Sequence, residues 1–575
     1  MHRCTPHWTC IRSALWQFDH RSVRIFRVRC GLSRAGRCGS FKSPALTGLV
    51  KQTLMAPTHE ATREGAANLA ALVVIIAIGV AVRTFNLSVP LKYDEAFTFL
   101  EYARYPFWSG ISNYSAPNNH LLHTSFVHLS VILFGNHDWA LRLPAFVFGT
   151  LIVPASYALG RIFCKDEGAL VAAALVAGSS KLVEYSVNAR GYMLLAFLSI
   201  ALVAIGFRLI RTDTARAWAA FAVVAAFGFF AIPTMLYVYA GVLLWVLASS
   251  GWNRVVFKRI LIVSFVTFSM TVVLYLPALL HSGLRALLLN PFIQPLTLHD
   301  FLRQLPMLPI ALWDSWIEAV PGPVLTALLI GFIITMFRDT NLLRLSLSFV
   351  IAITTLIVFQ RVIPPPRVFL FGLPIVFICA SSGCLNLLNR WHGNLRFALL
   401  RIAAVVLAAW MGLAGLRTGS VIASEETGSF QDITEVMNFL NSVTRPDDLV
   451  LMVLPVDQPF RYYLQSHATD WEPYYPLRHT TEYDLEGPDD KSFGRLFMVL
   501  RDHHGPIPSR EMRPITLDRM SRFYTSRSKP KPAFSGPYTS VYVADDAAIN
   551  HGFCEVFCFH RTGVEPSRSA GSTAE

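Results

Sequence analysis

The sequence predicts an α-helical polytopic membrane protein with about eleven transmembrane helices and a small α/β domain at its C-terminal end. Of the 575 residues, 53% are hydrophobic and only 15% are charged, and the mean hydropathy is +0.44. Soluble proteins carry about 25% charged residues, so this deficit indicates a lipid environment. Apolar runs long enough to cross a bilayer also recur along the chain, which a soluble protein with an unusually apolar core would lack.

The number of helices depends on Pro233, where two apolar runs meet that can also be drawn as one long kinked helix. With a cytoplasmic N-terminus and eleven helices, every inside loop carries at least two Lys or Arg residues, as the positive-inside rule requires. Merging the two runs would invert all later loops and break this pattern. The eleven runs are residues 66–82, 139–160, 168–187, 192–210, 217–231, 233–250, 258–280, 321–337, 343–360, 368–388 and 396–416.

The formal net charge of +13 lies largely in the N-terminal arm and in the short loops. In a soluble protein it would suggest nucleic acid, but this distribution fits a membrane topology, so we expect no nucleic-acid partner. The first 54 residues contain one acidic residue, Asp19, among many arginines. They indicate either a targeting peptide or a translation start at Met55. We favour the second reading, which makes residues 1–64 an arm that is disordered or lies partly upstream of the true start.

Three segments outside the membrane are long: residues 83–138, 281–320 and 417–575. The last becomes charged and rich in turns, and we expect it to form an extracytoplasmic α/β domain over 421–565, with a disordered tail over 566–575. Its expected elements are a helix over Gln431–Asn441, a strand over Leu449–Leu454, a helical stretch over Pro459–Gln465 and a strand over Leu496–Leu500. Residues 65–420 form the membrane domain.

The nine cysteines give no convincing zinc pattern. The nearest is Cys554-x-x-x-Cys558 followed by His560. A disulfide between the two cysteines is the better interpretation if this end of the chain faces an oxidising compartment. The sequence therefore predicts no protein-bound metal at this position.

The first long outer segment contains two adjacent carboxylates, Asp94 and Glu95, in an otherwise aromatic and apolar stretch. A general base has to lie close to the proton it removes and is often partly desolvated, which makes these residues candidates for catalysis. The alternative is a solvated charge pair in the first turn of a helix. Residues 83–138 are the expected catalytic loop.

Further along this loop, Asn118, Asn119 and His120 open a helical run that ends at Phe134. His120 and His123 share one helix face, where they suit either a metal or a phosphate, or simple hydrogen bonding at the membrane interface. The run from Leu121 is too short to span a bilayer, so we expect it to lie against the membrane surface.

Other ionisable residues lie at the outer ends of the predicted helices. Glu184, inside an apolar run, is a functional candidate or a structural ion pair with Lys181 or Arg190. Arg361 and Arg367 flank a stiff stretch that contains three prolines. Such a pair suits a phosphate, although arginines at helix ends also extend to the interface for solvation alone.

Together these motifs resemble the multi-pass GT-C glycosyltransferases, in particular the bacterial branch related to protein O-mannosyltransferases and to the aminoarabinose transferase that acts on lipid A. The resemblance covers roughly residues 66–420. Its second motif, Asn118-Asn119-His120, departs from the His-Pro-Pro of some relatives, which puts the likeness of the acceptor pocket to theirs in doubt. The residues that carry the resemblance are Asp94-Glu95, Asn118-Asn119-His120, Gly135, Ala140-Leu141-Arg142-Leu143-Pro144-Ala145, Tyr185-Ser186 and Ala189-Arg190-Gly191-Tyr192.

The resemblance implies an inverting transfer of a sugar from a polyprenyl-phosphate carrier to an acceptor hydroxyl on the outer face of the membrane. Asp94 matches the catalytic acidic position and is the expected general base, with Glu95 as second choice or as the residue that orients it. The expected phosphate ligands are Arg190 and Arg367, then Arg361 and Arg142. The remaining pocket candidates are Asn118, Asn119, His120, Tyr192 and Glu184. No cofactor is fixed, and a divalent metal stays open.

The implied partners are the lipid-linked donor, the bilayer and a lipid, glycan or protein acceptor. The expected location is the plasma (inner) membrane, with the N-terminus cytoplasmic and the C-terminal domain extracytoplasmic. A transporter or flippase of a lipid-linked sugar is the alternative, but it should show repeated halves and midplane charges, and the sequence contains no such repeat. An inactive scaffold of the same fold is the third reading, and the presence of Asp94 and the arginines argues against it.

Overall fold

The computed structural model describes residues 59–288, 294–388, 394–424, 426, 430–445, 448–453, 456–466, 471–473, 492–501, 524–526, 529–536, 539–549 and 556–561. The predictions for residues 1–58 of the N-terminal arm, the start at Met55, the tail over 566–575 and Cys554 therefore lie outside the described residues. Residues 59–64 of the predicted arm belong to the first described helix and are not disordered.

Each of the eleven predicted apolar runs is helical, and the chain is a multi-pass membrane protein. Among the described helices, six are long and apolar enough to cross a membrane, or seven when a bent pair counts as one span. Four others have 15 to 17 residues. The helices are His59–Phe85, Asp138–Phe163, the bent pair Asp166–Gly178 and Ser180–Ser186, Tyr192–Thr212, Ala215–Ala231, Met235–Ser249, Arg254–Leu288, Gly322–Arg338, Thr340–Gln360, Gly372–Leu388 and Asn394–Thr418.

The chain breaks at Pro233 as predicted. One helix ends at Ala231 and the next begins at Met235. Proline lacks the backbone N–H that an uninterrupted helix would need at this position. The two runs are therefore separate helices.

The bent pair is held by a buried arginine that the sequence analysis did not single out. The two helices meet at Ser179 with a bend of 60°. Arg83, fully buried in the first helix, donates to the carbonyl of Ala177 at 2.9 Å and to the hydroxyl of Ser186 at 3.0 Å. Carbonyls at a helix end have no partner within the helix, and Arg83 satisfies one of them. Beyond the bend, Glu184 contacts Lys92, and the turn after Ser186 brings the backbone of Ala189 to Glu95.

Shorter elements form the outer segments. The run Leu121–Phe134 is a helix of 14 residues, too short to span, as predicted. A π-helical turn over Phe99–Ala103 interrupts the first loop. The remaining short helices are Tyr93–Thr98, Phe107–Ser112, Leu298–Gln304, Met307–Ile317, the 3₁₀ turn Pro366–Phe369 and Ser420–Ala423.

The C-terminal region contains a seven-stranded mixed sheet with the order β2-β7-β1-β3-β6-β4, and β5 pairs with β6. β1 and β3 are parallel, with Val450 opposite Phe497, and the other pairs are antiparallel. β1 and β3 correspond to the two predicted strands, and five others were not predicted. The strands are β1 Leu449–Val453, β2 Trp471–Pro473, β3 Ser492–Arg501, β4 Tyr524–Ser526, β5 Lys531–Ser535, β6 Thr539–Ile549 and β7 Val556–Arg561.

Two amphipathic helices, Ile433–Val443 and Asp457–Ser466, cover this sheet. Both were predicted within two residues of these bounds. Their apolar residues at helical spacing pack on alternate residues of β1 and β3, as expected for a helix laid on a half-buried strand face. The buried core of the domain includes Ile433, Val436, Leu440, Phe460, Leu464, Val450, Met452, Phe497 and Val499. The fold class expected from the sequence is confirmed.

Candidate active site

The short helix Tyr93–Thr98 carries the two adjacent carboxylates, and Glu95 is completely buried and fully hydrogen-bonded. Arg142 donates from Nε and Nη2 to the two carboxylate oxygens, both at 2.8 Å. The backbone N–H of Lys92 and that of Ala189 donate to the same oxygens at 2.9 and 2.8 Å. Burial alone would raise the pKa of Glu95, but the charge and hydrogen bonds of Arg142 hold it below its ordinary value. Glu95 has no lone pair left to accept a substrate proton.

Arg142 uses its remaining donors on the chain that leads to Asp94. Nη1 donates to the carbonyls of Leu87 and Val89, and Nη2 donates to that of Pro90 at 3.2 Å. With the two bonds to Glu95, all five N–H groups of the guanidinium are engaged. Arg142 was predicted as a weaker phosphate ligand. It has no donor free for a phosphate, and it anchors the loop instead.

Asp94 is held much more loosely than its neighbour. Its side chain is 14% exposed. Asn118 donates to Oδ1 at 3.3 Å, and the nearest nitrogen of Arg190 is 3.8 Å from Oδ2. Both distances are long for charge-assisted contacts, which usually measure 2.7–2.9 Å. Asp94 is thus a partly accessible carboxylate with lone pairs that can accept a proton.

Arg190 is buried beside Asp94 with only weak partners. Its side chain is 3% exposed, and its Nε has no hydrogen-bond partner in the described part of the chain. Its Nη1 contacts both Thr98 Oγ1 at 3.4 Å and the carbonyl of Asn118 at 3.3 Å. A desolvated guanidinium with long contacts gains more than a saturated one when an anion arrives.

His120 places a second donor next to Arg190. Its Nδ1 accepts a hydrogen bond from the backbone N–H of Gly191 at 2.9 Å, which assigns the proton of the neutral ring to Nε2. That nitrogen lies 3.4 Å from Nη2 of Arg190. Burial and then the charge of Arg190 hold the pKa of His120 well below its ordinary value, so the ring is neutral. Two N–H donors that face each other without an acceptor between them suit an anionic oxygen.

Arg367 lies much later in the sequence, near the end of the membrane domain, and contacts Tyr192 close to His120 and Arg190. Its Nε donates to the hydroxyl of Tyr192 at 3.2 Å, and its backbone N–H and Nη1 bind Glu426. Burial disfavours its charged form, yet Tyr192, Tyr185 and Asp94 raise the pKa of Arg367 above its ordinary value. Tyr192 also packs edge-to-face against His120, with ring centroids 5.3 Å apart. The two arginines expected to bind phosphate therefore converge around Tyr192 and Asp94.

Glu184 belongs to a buried ionic network behind these residues. It binds Lys92 Nζ at 3.1 Å and Lys181 Nζ at 3.0 Å. Lys181 continues to Glu426 at 3.0 Å, and Glu426 in turn binds Arg367. The expected ion pair with Lys181 is present, and Lys92 is a second partner. Glu184 is thus tied into the network that supports Arg367, and each of its carboxylate oxygens is bound by a lysine.

The remaining candidates differ in their surroundings. The buried amide of Asn119 donates to the carbonyls of Gly110 and Asn113 at 2.8 and 2.7 Å, so it fixes the loop. Asn118 contacts both Asp94 and Arg190 and belongs to the cluster. Arg361 is exposed, and no described contact joins it to Asp94 or to Arg367.

A metal pair at His120 and His123 finds no support in the geometry. Among the described residues, no three His, Cys, Asp or Glu side chains are grouped so as to hold a metal. His120 uses Nδ1 to accept from Gly191, and both nitrogens of the buried His123 lack a hydrogen-bond partner in the described structure.

Sequence reasoning missed the residues whose role depends on contacts across the chain. These are Lys92, which precedes Asp94, together with Glu426 and Tyr463. Lys181 was named only as a possible partner of Glu184. A basic residue two positions before a pair of carboxylates is a usable signal for Lys92. Glu426 and Tyr463 lie in segments with no unusual composition, so nothing local would have singled them out.

Comparison with known proteins agrees with this architecture. Residues 119–280 match the model of a family described as dolichyl-phosphate-mannose-protein mannosyltransferase. The crystal structure of ArnT from Cupriavidus metallidurans in the apo state is similar with a TM-score of 0.53 and 13% identity, over 82% of this chain and 97% of that chain. The same protein bound to undecaprenyl phosphate gives a TM-score of 0.51 with the same identity and coverage.

Arabinosyltransferase EmbB from Mycobacterium smegmatis gives a TM-score of 0.39 and 12% identity, over 80% of this chain and 48% of that chain. No curated protein matches the chain by sequence. At 13% identity the likeness to ArnT shows the fold, and it confirms the GT-C type of architecture expected from the sequence. The match to the mannosyltransferase family extends over residues 119–280, which include His120, Arg142 and Arg190.

Proposed function

We propose that the protein is an inverting glycosyltransferase that moves a sugar from a polyprenyl-phosphate carrier to an acceptor hydroxyl. The observation that carries the proposal is the convergence of one loosely held carboxylate, Asp94, with two arginines, Arg190 and Arg367. Inverting transfer needs a base on the acceptor and positive charge on the departing phosphate. The similar ArnT structure bound to undecaprenyl phosphate supports a carrier of this class.

The chemistry follows from this arrangement. Asp94 takes the proton of the acceptor hydroxyl. At the same time the acceptor oxygen bonds to the anomeric carbon, on the face opposite the carrier. The bond between that carbon and the phosphate oxygen breaks, and its electron pair stays on the phosphate. The phosphate gains one negative charge in this step. Arg190 and His120, which are buried, and Arg367, which is partly buried, supply N–H donors for that charge, and such contacts are stronger in a site of low dielectric than in water.

Glu95 and Arg142 act in this proposal by holding the loop. Glu95 is the neighbour of Asp94 and is fixed by four hydrogen bonds, so it orients the short helix without exchanging a proton. The reaction takes place on the extracytoplasmic side of the plasma membrane, with the N-terminus in the cytoplasm. The sugar and the acceptor class are left to experiment.

The test is sugar transfer in membranes that contain equal amounts of wild type or Asp94→Asn, with a panel of radiolabelled undecaprenyl-phosphate pentoses and hexoses. Loss of a general base lowers the rate by at least ~100-fold, whereas the variant keeps its fold because Asp94 has only long contacts. A transfer rate of Asp94→Asn equal to that of the wild type would mean that Asp94 is not the base and has a structural role. Labelled lipid that crosses the bilayer without donor consumption would favour a transporter.

A binding measurement checks the phosphate site independently of the sugar. Undecaprenyl phosphate should raise the melting temperature of the purified wild type, and Arg190→Gln together with Arg367→Gln should abolish the increase. Arg361→Gln is the matched control, because Arg361 is exposed and outside the cluster. Equal stabilisation of all variants would place the phosphate elsewhere.

A further inference from the structure

One helix of the C-terminal domain contacts the catalytic loop through three consecutive residues. Arg461 binds Glu101 at 2.9 Å, and Tyr462 donates to Asn136 at 3.1 Å. Tyr463 accepts a hydrogen bond from the backbone N–H of Leu91 at 3.0 Å. These partners lie more than 300 positions earlier in the sequence, at both ends and in the middle of the loop that carries Asp94.

Tyr463 makes the contact closest to Asp94. Its hydroxyl accepts from Leu91 and donates to Asp138 Oδ2 at 2.6 Å, so it bridges the segment before Asp94 and the start of the helix Asp138–Phe163. Burial and then the charge of Asp138 raise the pKa of Tyr463, which keeps the donor proton in place. Leu91 is completely buried. Without the hydroxyl its N–H would be an unsatisfied buried donor, which is destabilising.

The same segment is held from its other side by Arg142. Arg142 binds the carbonyls of Leu87, Val89 and Pro90, while Tyr463 binds the N–H of the next residue, Leu91. Backbone groups of four of the five residues from Leu87 to Leu91 are thereby fixed by side chains from distant parts of the chain. Asp94 follows three residues later on a helix of only six residues, too short to set its own orientation.

The π-helical turn after Asp94 is held by the same helix. Phe99 packs edge-to-face on Tyr462, with ring centroids 5.5 Å apart, and Glu101 within the turn binds Arg461. π-Helical turns are rare in proteins overall, and those that occur are often found at functional sites. The domain helix Asp457–Ser466 thus contacts the loop on both sides of Asp94.

We infer that Tyr463 is a positioning residue that sets the orientation of Asp94 through Leu91, so that the C-terminal domain forms part of the catalytic architecture. This inference rests on the proposed role of Asp94 as the base. Tyr463 touches none of Arg190, Arg367 and His120 in the described contacts, so it acts on proton removal and leaves donor binding unchanged.

The test is a double-mutant cycle of Tyr463→Phe with Asp94→Asn in the full-length protein. Tyr463→Phe removes one oxygen and should lower kcat by about 10- to 100-fold, the cost of a small misplacement of a catalytic group, with the donor KM unchanged. In the Asp94→Asn background it should cause no further loss, because the base is already absent. Tyr542→Phe, a tyrosine of β6 in the same domain, is the control and should retain activity.

Equal losses in both backgrounds would mean that Tyr463 only stabilises the protein. A raised donor KM would mean that Tyr463 acts on donor binding. Either result would overturn the inference. Hydrogen exchange across residues 87–98 gives a readout that does not depend on transfer. Tyr463→Phe should speed exchange there, whereas Tyr542→Phe should leave it unchanged. Unchanged protection in Tyr463→Phe would overturn the inference even if Asp94 is the base. Failure of the proposed function would appear separately: the single variant Asp94→Asn would then transfer sugar at the same rate as the wild type.

Discussion

Two arginine–carboxylate clusters lie on neighbouring residues of one short helix and differ in how completely they are bonded. Around Glu95, both carboxylate oxygens are bonded at 2.8–2.9 Å, and every guanidinium hydrogen of Arg142 has a partner. Around Asp94, the contact to Arg190 is 3.8 Å long, and Arg190 retains a buried nitrogen without a partner in the described residues.

The difference separates a structural ion pair from a site with capacity for a ligand. Buried charges are tolerated when they are paired and hydrogen-bonded, and a fully bonded pair has nothing left to offer a substrate. A buried arginine with long contacts keeps part of its desolvation cost uncompensated, and an anion that binds it recovers that cost. The number of hydrogen bonds, together with the partial exposure of Asp94, therefore distinguishes the two adjacent carboxylates.

The largest effect is expected from breaking the saturated cluster. Arg142→Leu leaves Glu95 buried without its partner and should destabilise the protein by about 3–5 kcal/mol, as removal of one partner of a buried pair does. The measurement is the melting temperature and the yield of monodisperse protein in detergent. If Arg142→Leu is as stable as the wild type but inactive, Arg142 takes part in the reaction and its role is not structural.

The open cluster should respond in the opposite way. Arg190→Gln and Arg367→Gln should each lower transfer by roughly 100-fold, the usual cost of removing one donor to a developing oxyanion. The melting temperature of Arg190→Gln should fall less than that of Arg142→Leu, because Arg190 makes only long contacts. Transfer rates measured on equal amounts of protein decide this. A collapse in stability with no specific loss of activity would remove the distinction between the clusters.

A third carboxylate, Asp457, is buried like Glu95 but is incompletely hydrogen-bonded, like Asp94. Its effect on stability can be measured as a function of pH. Asp457 is completely buried, and its Oδ1 has no hydrogen-bond partner in the described structure. Burial raises the pKa of Asp457 to about 7. Because the folded state holds the proton more tightly, this group stabilises the domain fully below the ordinary aspartate pKa, and the stabilisation is lost as pH rises to about 7.

Wild type should therefore melt at a lower temperature at about pH 8 than at about pH 5, and Asp457→Asn should remove this group's part of the difference. Asp545→Asn, at an exposed aspartate of β6, is the matched control and should leave the difference unchanged. If the Asp457→Asn protein shows the same pH dependence as wild type, Asp457 does not hold its proton near neutral pH.

The smallest effect is expected at Arg361. Its side chain is exposed, so Arg361→Gln should change transfer by less than about threefold and stability by less than about 0.5 kcal/mol, as surface substitutions usually do. The same transfer and melting measurements apply. A loss as large as that of Arg367→Gln would show that Arg361 joins the cluster when the donor binds.

The sequence predicted the helices well because hydrophobicity is a property of contiguous residues. All eleven apolar runs are helical, and the break at Pro233 falls where loop charges required it. Prediction was weaker for the sheet. β6 carries Asp545 and Asp546 in its middle and lacks a clear alternation, and β2 and β4 are only three residues long.

Within the site, the sequence pointed to Asp94, Arg190, Arg367 and His120 through motif resemblance, and the structure brings these residues together. The resemblance ranked Asp94 above Glu95 as the base, but the sequence could not show which of the two has its hydrogen bonds filled. The partners of Glu95 lie 47 and 94 residues away, and the hydrogen bond from Leu91 to Tyr463 spans 372 residues. No window along the chain contains both members of such pairs.

The sequence by itself determined that this protein is a multi-pass membrane protein and supplied the short list of ionisable residues that are candidates for the site. Only the tertiary structure decided which of those residues are saturated and which remain open. The physical reason is that transfer to lipid depends on local composition, whereas the state of a buried charge depends on every group packed around it. Arg142 shows this: the motif offered it as a phosphate ligand, and its five engaged donors make it the anchor of the loop.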